Sequence, residues 1–90
     1  VDQRIVEEVR HRAMWRCEFC GRGEDHTMVL HHRRLRSQGG RDAVDNLVWI
    51  HDACHRWTHD HPARAYDLGW IVRSWADPAE VPVRVLRIAT

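Results

Sequence analysis

Cys17 and Cys20 are separated by two residues, and thirty-odd positions later His51 and Cys54 repeat that gap. Thiolate and imidazole donors paired in this way make a closed tetrahedral Cys3His shell for structural zinc. His51 is the member least dictated by spacing, since His26 or His11 would replace it if the intervening loop folded otherwise. A redox reading of the first pair needs a βαβ setting that the sequence lacks, and three cysteines fit poorly with a disulfide framework. Between and beyond the two pairs lies a second set: His31 and His32 are adjacent, while His55 and His59 are four apart. Eight histidines in 90 residues is a heavy load, and most fall between His26 and His61.

Elements are needed to position these groups. Residues 2–15 read as an amphipathic helix capped by Asp2, with Ile5, Val6, Val9 and Ala13 at helical spacing. Cys17 to Gly21 is a tight knuckle, and Met28 to Arg33 a short strand. Leu35 to Asp45 is a long loop containing Gly39 and Gly40, and Leu47 to Ile50 is a second strand. Asp52 is placed to cap a helix that carries Cys54, His55, Trp57 and His59 and is limited by Pro62. Ala63 to Leu68 suggests a further turn or two of helix closed by Gly69, and Trp70 to Val72 a strand. A Pro-containing linker follows from Ala76 to Pro82, then an apolar tail from Val83 to Ile88 that serves as an edge strand or a docking arm. Trp15, Trp49 and Trp57 fall within expected elements and are assigned to the core, whereas Trp70 and Trp75 are candidates for docking on a partner.

On this scaffold the metal-type spacings divide into two sites. One zinc ion on Cys17, Cys20, His51 and Cys54 would tie the first helix to the strand–helix unit, adding stability that so short a chain has difficulty drawing from its core. Neighbouring strand residues point to opposite sides, so His31 and His32 should not ligate one ion together. His31 with His55 and His59, one helical turn apart, would hold a divalent metal with positions left open. His32 would then be free to take a proton from water near neutral pH.

The combined pattern runs Leu30-His31-His32-Arg33, then Gly39-Gly40, then Asp45-Asn46-Leu47-Val48-Trp49-Ile50-His51-Asp52-Ala53-Cys54-His55-Arg56-Trp57-Thr58-His59. It resembles the HNH endonuclease motif, also called ββα-metal, over residues 17–61. The resemblance implies an α+β fold, a small ββα-metal domain with an N-terminal helix and a structural zinc knuckle; the length of 90 residues allows one domain over 1–90, with a C-terminal tail at 76–90. The resemblance implies that His31 binds the catalytic metal and His55 and His59 complete the site. His32 would be the general base, and Asn46 would hold the loop so that the base stays oriented. The implied activity is metal-dependent hydrolysis of DNA phosphodiesters, leaving 5′-phosphate and 3′-hydroxyl ends. Many relatives carry Cys at the position of His51 and Asp at that of His31. An all-histidine shell shifts the expected catalytic ion from Mg2+ toward Mn2+, Ni2+, Co2+ or Zn2+. The alternative is a non-catalytic zinc-stapled module that binds DNA or protein within a larger assembly, such as a phage packaging or restriction complex.

The formal net charge is only +1, yet all fourteen basic residues are arginine. Arg33, Arg34, Arg36 and Arg41 cluster around the glycine pair and are expected to hold DNA phosphates through their planar forks. No apolar run is long enough to span a membrane. The charged opening segment has no signal-peptide core, so a cytoplasmic setting in a bacterium or phage-infected host is expected.

Overall fold

The computed structural model describes residues 1–83. Helix α1 spans Gln3–Arg12, and the Asp2 carboxylate caps it by accepting the Arg4 N–H at 2.8 Å. The helix ends earlier than its hydrophobic periodicity suggests. Met14 and Trp15 both adopt left-handed backbone, φ 55° and 56°, which turns the chain sharply toward the knuckle. That turn leaves Trp15 43% exposed, so it is not the core residue expected.

Strands β1 (Met28–His32) and β2 (Leu47–His51) form an antiparallel pair with His31 opposite Val48 and His32 opposite Leu47. Helix α2 (Asp52–Asp60) follows β2 directly and packs on both strands. Its first residue is Asp52, but the cap position belongs to His51, and no side chain caps the helix. Asp52 instead pairs with Arg56 one turn on, at 3.3 Å. The last strand residue thus doubles as the helix cap, and its ring is turned to Cys20 and Gly23 instead of to the helix N–H groups.

Helix α3 (Pro62–Leu68) begins with proline at its first turn and closes on Gly69, whose φ is 84°. A Cβ at Gly69 would meet the Pro82 carbonyl oxygen at 2.2 Å, so the position needs glycine for space as well as for dihedral angle. The expected strand at Trp70–Val72 does not form. The N–H groups of Trp70 and Ile71 both return to the Ala65 carbonyl, closing α3, and only Val72 reaches β1's end, through Arg33 O at 2.8 Å. Trp70, Ile71 and Val72 are nonetheless buried, so Trp70 is a core residue and not a docking group.

The core gathers Phe19, Val48, Ile50, Ala65, Trp70 and Ile71 around the knuckle, with Trp57 partly buried against it. The Phe19 ring packs at a tilt 5.3 Å from Trp57 and 5.0 Å from Trp70, joining knuckle, α2 and the segment after α3. Short 3-10 turns occupy Arg36–Gln38 in the β1–β2 loop and Pro78–Glu80 in the expected linker. The apolar tail lies outside the described residues except for Val83.

Candidate active site

The knuckle brings its four expected donors together. Ligand atoms of Cys17, Cys20, His51 and Cys54 all lie within 4.8 Å of one another, and Cys17 is buried. Cys17 Sγ is 3.7 Å from Cys54 Sγ, and Cys20 Sγ is 3.4 Å from His51 Nδ1. Sulfur ligands about 2.3 Å from a tetrahedral ion stand about 3.8 Å apart, so the spacing suits zinc. The backbone N–H groups of Cys20 and His51 donate to Cys17 Sγ, while the other ring nitrogen of His51 meets the Gly23 carbonyl at 3.1 Å. That outer contact selects Nδ1 as the donor toward the ion. His11, packed edge-on against Trp15, and the exposed His26 take no part.

Electrostatics agree with a thiolate cluster. The Cys17 thiol is drawn down to about 4, first by its hydrogen bond with Cys54 and then by the backbone amides around it. The Cys54 thiol is pushed up, first by that same hydrogen bond with Cys17, then by burial and by repulsion from the neighbouring Cys17 and Cys20 sulfurs. A dication among the sulfurs reverses that repulsion and allows all three to ionise.

The second cluster lies where β1 faces α2. Ligand atoms of His31, His55 and His59 fall within 4.8 Å of one another, and the cluster grades from buried His31 to exposed His59. The Nε2 atoms of His55 and His59 are 3.0 Å apart. Two imidazole nitrogens about 2.1 Å from one ion, at right angles, are separated by about 3.0 Å, so the pair can share a metal. His31 Nε2 donates to the Trp70 carbonyl at 2.6 Å, which leaves its Nδ1 with the lone pair that could bind an ion. Burial, followed by the neighbouring His55 and His59, lowers the His31 pKa to about 4 and keeps the ring neutral, as a ligand must be. Burial likewise lowers His55.

His32 follows His31 in the strand, and the alternation sends its ring elsewhere. His32 Nε2 lies 2.6 Å from Asp42 Oδ1. Asn46 is 2% exposed. Its Oδ1 accepts from Arg34 N at 2.7 Å, and its Nδ2 donates to Arg34 O at 3.1 Å and Arg41 O at 2.9 Å. One side chain thus clamps both ends of the segment between Arg34 and Arg41. The glycine pair makes the clamp possible. Gly39 is left-handed at φ 83°, and a Cβ on Gly40 would strike Arg34 O at 1.7 Å.

The four arginines divide. Arg33 is buried, and its guanidinium donates to the carbonyls of Gly69, Asp45, Pro78 and Val81, so it departs from the phosphate-binding expectation. Its placement just past the end of β1, against the returning segment from Gly69 to Val81, is invisible to local spacing and is the reason. Arg36 and Arg41 are exposed. Arg34 and Arg41 line a surface cavity of about 480 Å3 with Asn46, Trp75 and Asp77, and Trp75 itself is 81% exposed.

Two partners of the β1 histidines, one for His31 and one for His32, carry no local sequence signal. The Trp70 carbonyl carries no signature at all. Asp42 is an acidic residue two positions past the glycine pair, in a loop otherwise marked by its arginines.

A β-hairpin and a following helix that converge imidazoles, stapled beside a Cys3His cluster, define the ββα-metal class of fold. The chain belongs to the HNH endonuclease family, whose sequence model matches residues 17–61. No curated protein and no solved structure matches the chain. Members of this family are typically phosphodiester hydrolases acting on nucleic acid. Among the described residues, no helix is long and apolar enough to cross a membrane.

Proposed function

We propose that the chain is a DNA endonuclease that uses His32 as general base, with His31, His55 and His59 holding one catalytic divalent ion. The convergence of those three ligating rings next to a fourth, differently directed histidine carries this reading. A binding module stapled by zinc has no need for the second cluster. The ion would supply positive charge to the phosphate oxygens as negative charge builds on them.

His32 takes a proton from water, whose oxygen forms a bond to phosphorus while the P–O3′ bond breaks. The 3′ oxygen leaves and is protonated from solvent, giving 5′-phosphate and 3′-hydroxyl ends. Asn46 keeps the β1–β2 loop folded against His32's strand through its three backbone contacts. Arg34, Arg36 and Arg41 hold flanking phosphates, with affinity that falls as salt rises.

The test is supercoiled plasmid incubated with zinc-loaded protein and magnesium, manganese or nickel in turn. Metal-dependent nicking or linearisation is expected, abolished in His32→Ala with zinc content and manganese binding retained. Wild-type protein that binds DNA but does not cut it with any of the metals would replace the nuclease reading with the binding module.

A further inference from the structure

We infer that Asp42 is a positioning residue for His32: its carboxylate accepts the Nε2 hydrogen and so presents an unprotonated Nδ1 to the water that is to be activated. The inference rests on the nuclease reading for its catalytic consequence, but its geometry stands by itself. A neutral imidazole carries one hydrogen, and an ionised carboxylate can only accept. With 2.6 Å between His32 Nε2 and Asp42 Oδ1, the hydrogen sits on Nε2 and the lone pair on Nδ1. Without a fixed acceptor the two tautomers interconvert, and one of them turns an N–H toward water and cannot take its proton.

The surroundings show that the contact is built and not incidental. The His32 side chain is only 16% exposed and Asp42's 35%, so the pair sits in a partly sheltered crevice where a hydrogen bond competes less with water. The residue before Asp42 is pinned, because Arg41 O accepts from the buried Asn46 amide. Gly40 N–H, one residue earlier, bonds to Leu35 O at 2.9 Å. A chain of restraint therefore runs from Asn46 through the Arg41 backbone to Asp42 and on to the His32 ring. The hydrogen bond from His32, foremost among several effects, holds the Asp42 carboxyl below its ordinary range, so it remains an acceptor.

The experiment compares zinc-loaded wild type with Asp42→Ala, Asp42→Asn and Asp42→Glu. Nitrogen-15 imidazole spectra without DNA should show His32 of the wild type as the Nε2–H tautomer, and a mixture in Asp42→Ala. In plasmid cleavage with manganese, kcat should fall about 10- to 100-fold in Asp42→Ala, with KM, manganese affinity and Tm unchanged and part of the rate regained in Asp42→Glu. Asp42→Asn keeps the volume and an acceptor oxygen but not the charge, so it should retain more of the Nε2–H tautomer and more of the rate than Asp42→Ala. An Nδ1–H tautomer in the wild type, wild-type kcat in Asp42→Ala, or an effect confined to KM would overturn the inference. Failure of the nuclease reading shows separately, as wild-type protein that does not cut with any of the metals while the tautomer readout stays intact.

Discussion

His31 Nε2 lies 2.6 Å from the carbonyl oxygen of Trp70, and both residues are buried. The contact links a candidate metal ligand in β1 to the segment that follows α3, so the second cluster is anchored in the core itself.

A pH dependence follows from that anchoring. His31 has its folded pKa lowered to about 4, chiefly by burial, against 6.5 for the free side chain. Below about 6.5 the unfolded chain binds the proton first, so stability is retained above that pH and is lost progressively toward about 4. The total for this ring is on the order of 3 kcal/mol. Urea midpoints of zinc-loaded protein between pH 7 and 5 should fall, and His31→Leu should show a flatter slope. Parallel slopes would remove His31 as the cause.

The staple makes a second prediction. Cys54→Ser should lose zinc and unfold at ordinary temperature, since structural zinc contributes about 10 kcal/mol or more to domains of this kind. His51→Cys should still bind about one zinc per chain, because thiolate and imidazole are interchangeable in such shells. Elemental analysis beside thermal melts reads both. A stably folded Cys54→Ser protein would show that the core suffices without the ion.

Arg33 is predicted to act on stability. Its guanidinium serves four backbone carbonyls from three separate segments. Arg33→Met leaves those acceptors with no buried donor and should cost about 3 kcal/mol or more, seen as a shift in urea midpoint. Its DNA affinity, measured where the variant is folded, should keep the wild-type salt slope. A slope reduced in that variant would place Arg33 among the phosphate contacts.

Exposed Arg36 and Arg41 are predicted to act on binding instead. Arg36→Ala or Arg41→Ala should weaken binding evenly across DNA sequences and reduce the salt slope by about 1 each, with Tm unchanged. Fluorescence anisotropy at several salt concentrations decides. Unaltered affinity in both would move the DNA path to another face.

What could be read from the chain alone is what short-range geometry dictates. Two-residue gaps between donors, a four-residue gap on a helix and alternation along a strand are properties of local backbone. They suffice to sort Cys17, Cys20, His51 and Cys54 from His31, His55 and His59, and to set His32 apart. The Asp2 cap and Gly69 closure are local in the same sense. Only the tertiary structure decided which groups meet across long separations. Arg33 reads as one more basic loop residue until the segment from Gly69 to Val81 returns over it, and Trp70 reads as a docking group until Phe19 packs against it. The Trp70 carbonyl has no side-chain identity to betray it, and Asp42 reaches His32 only because Gly40 and Asn46 fold the loop back on its own strand. Local spacing limits what a residue can do, whereas burial and partnership depend on packing between segments far apart in the chain.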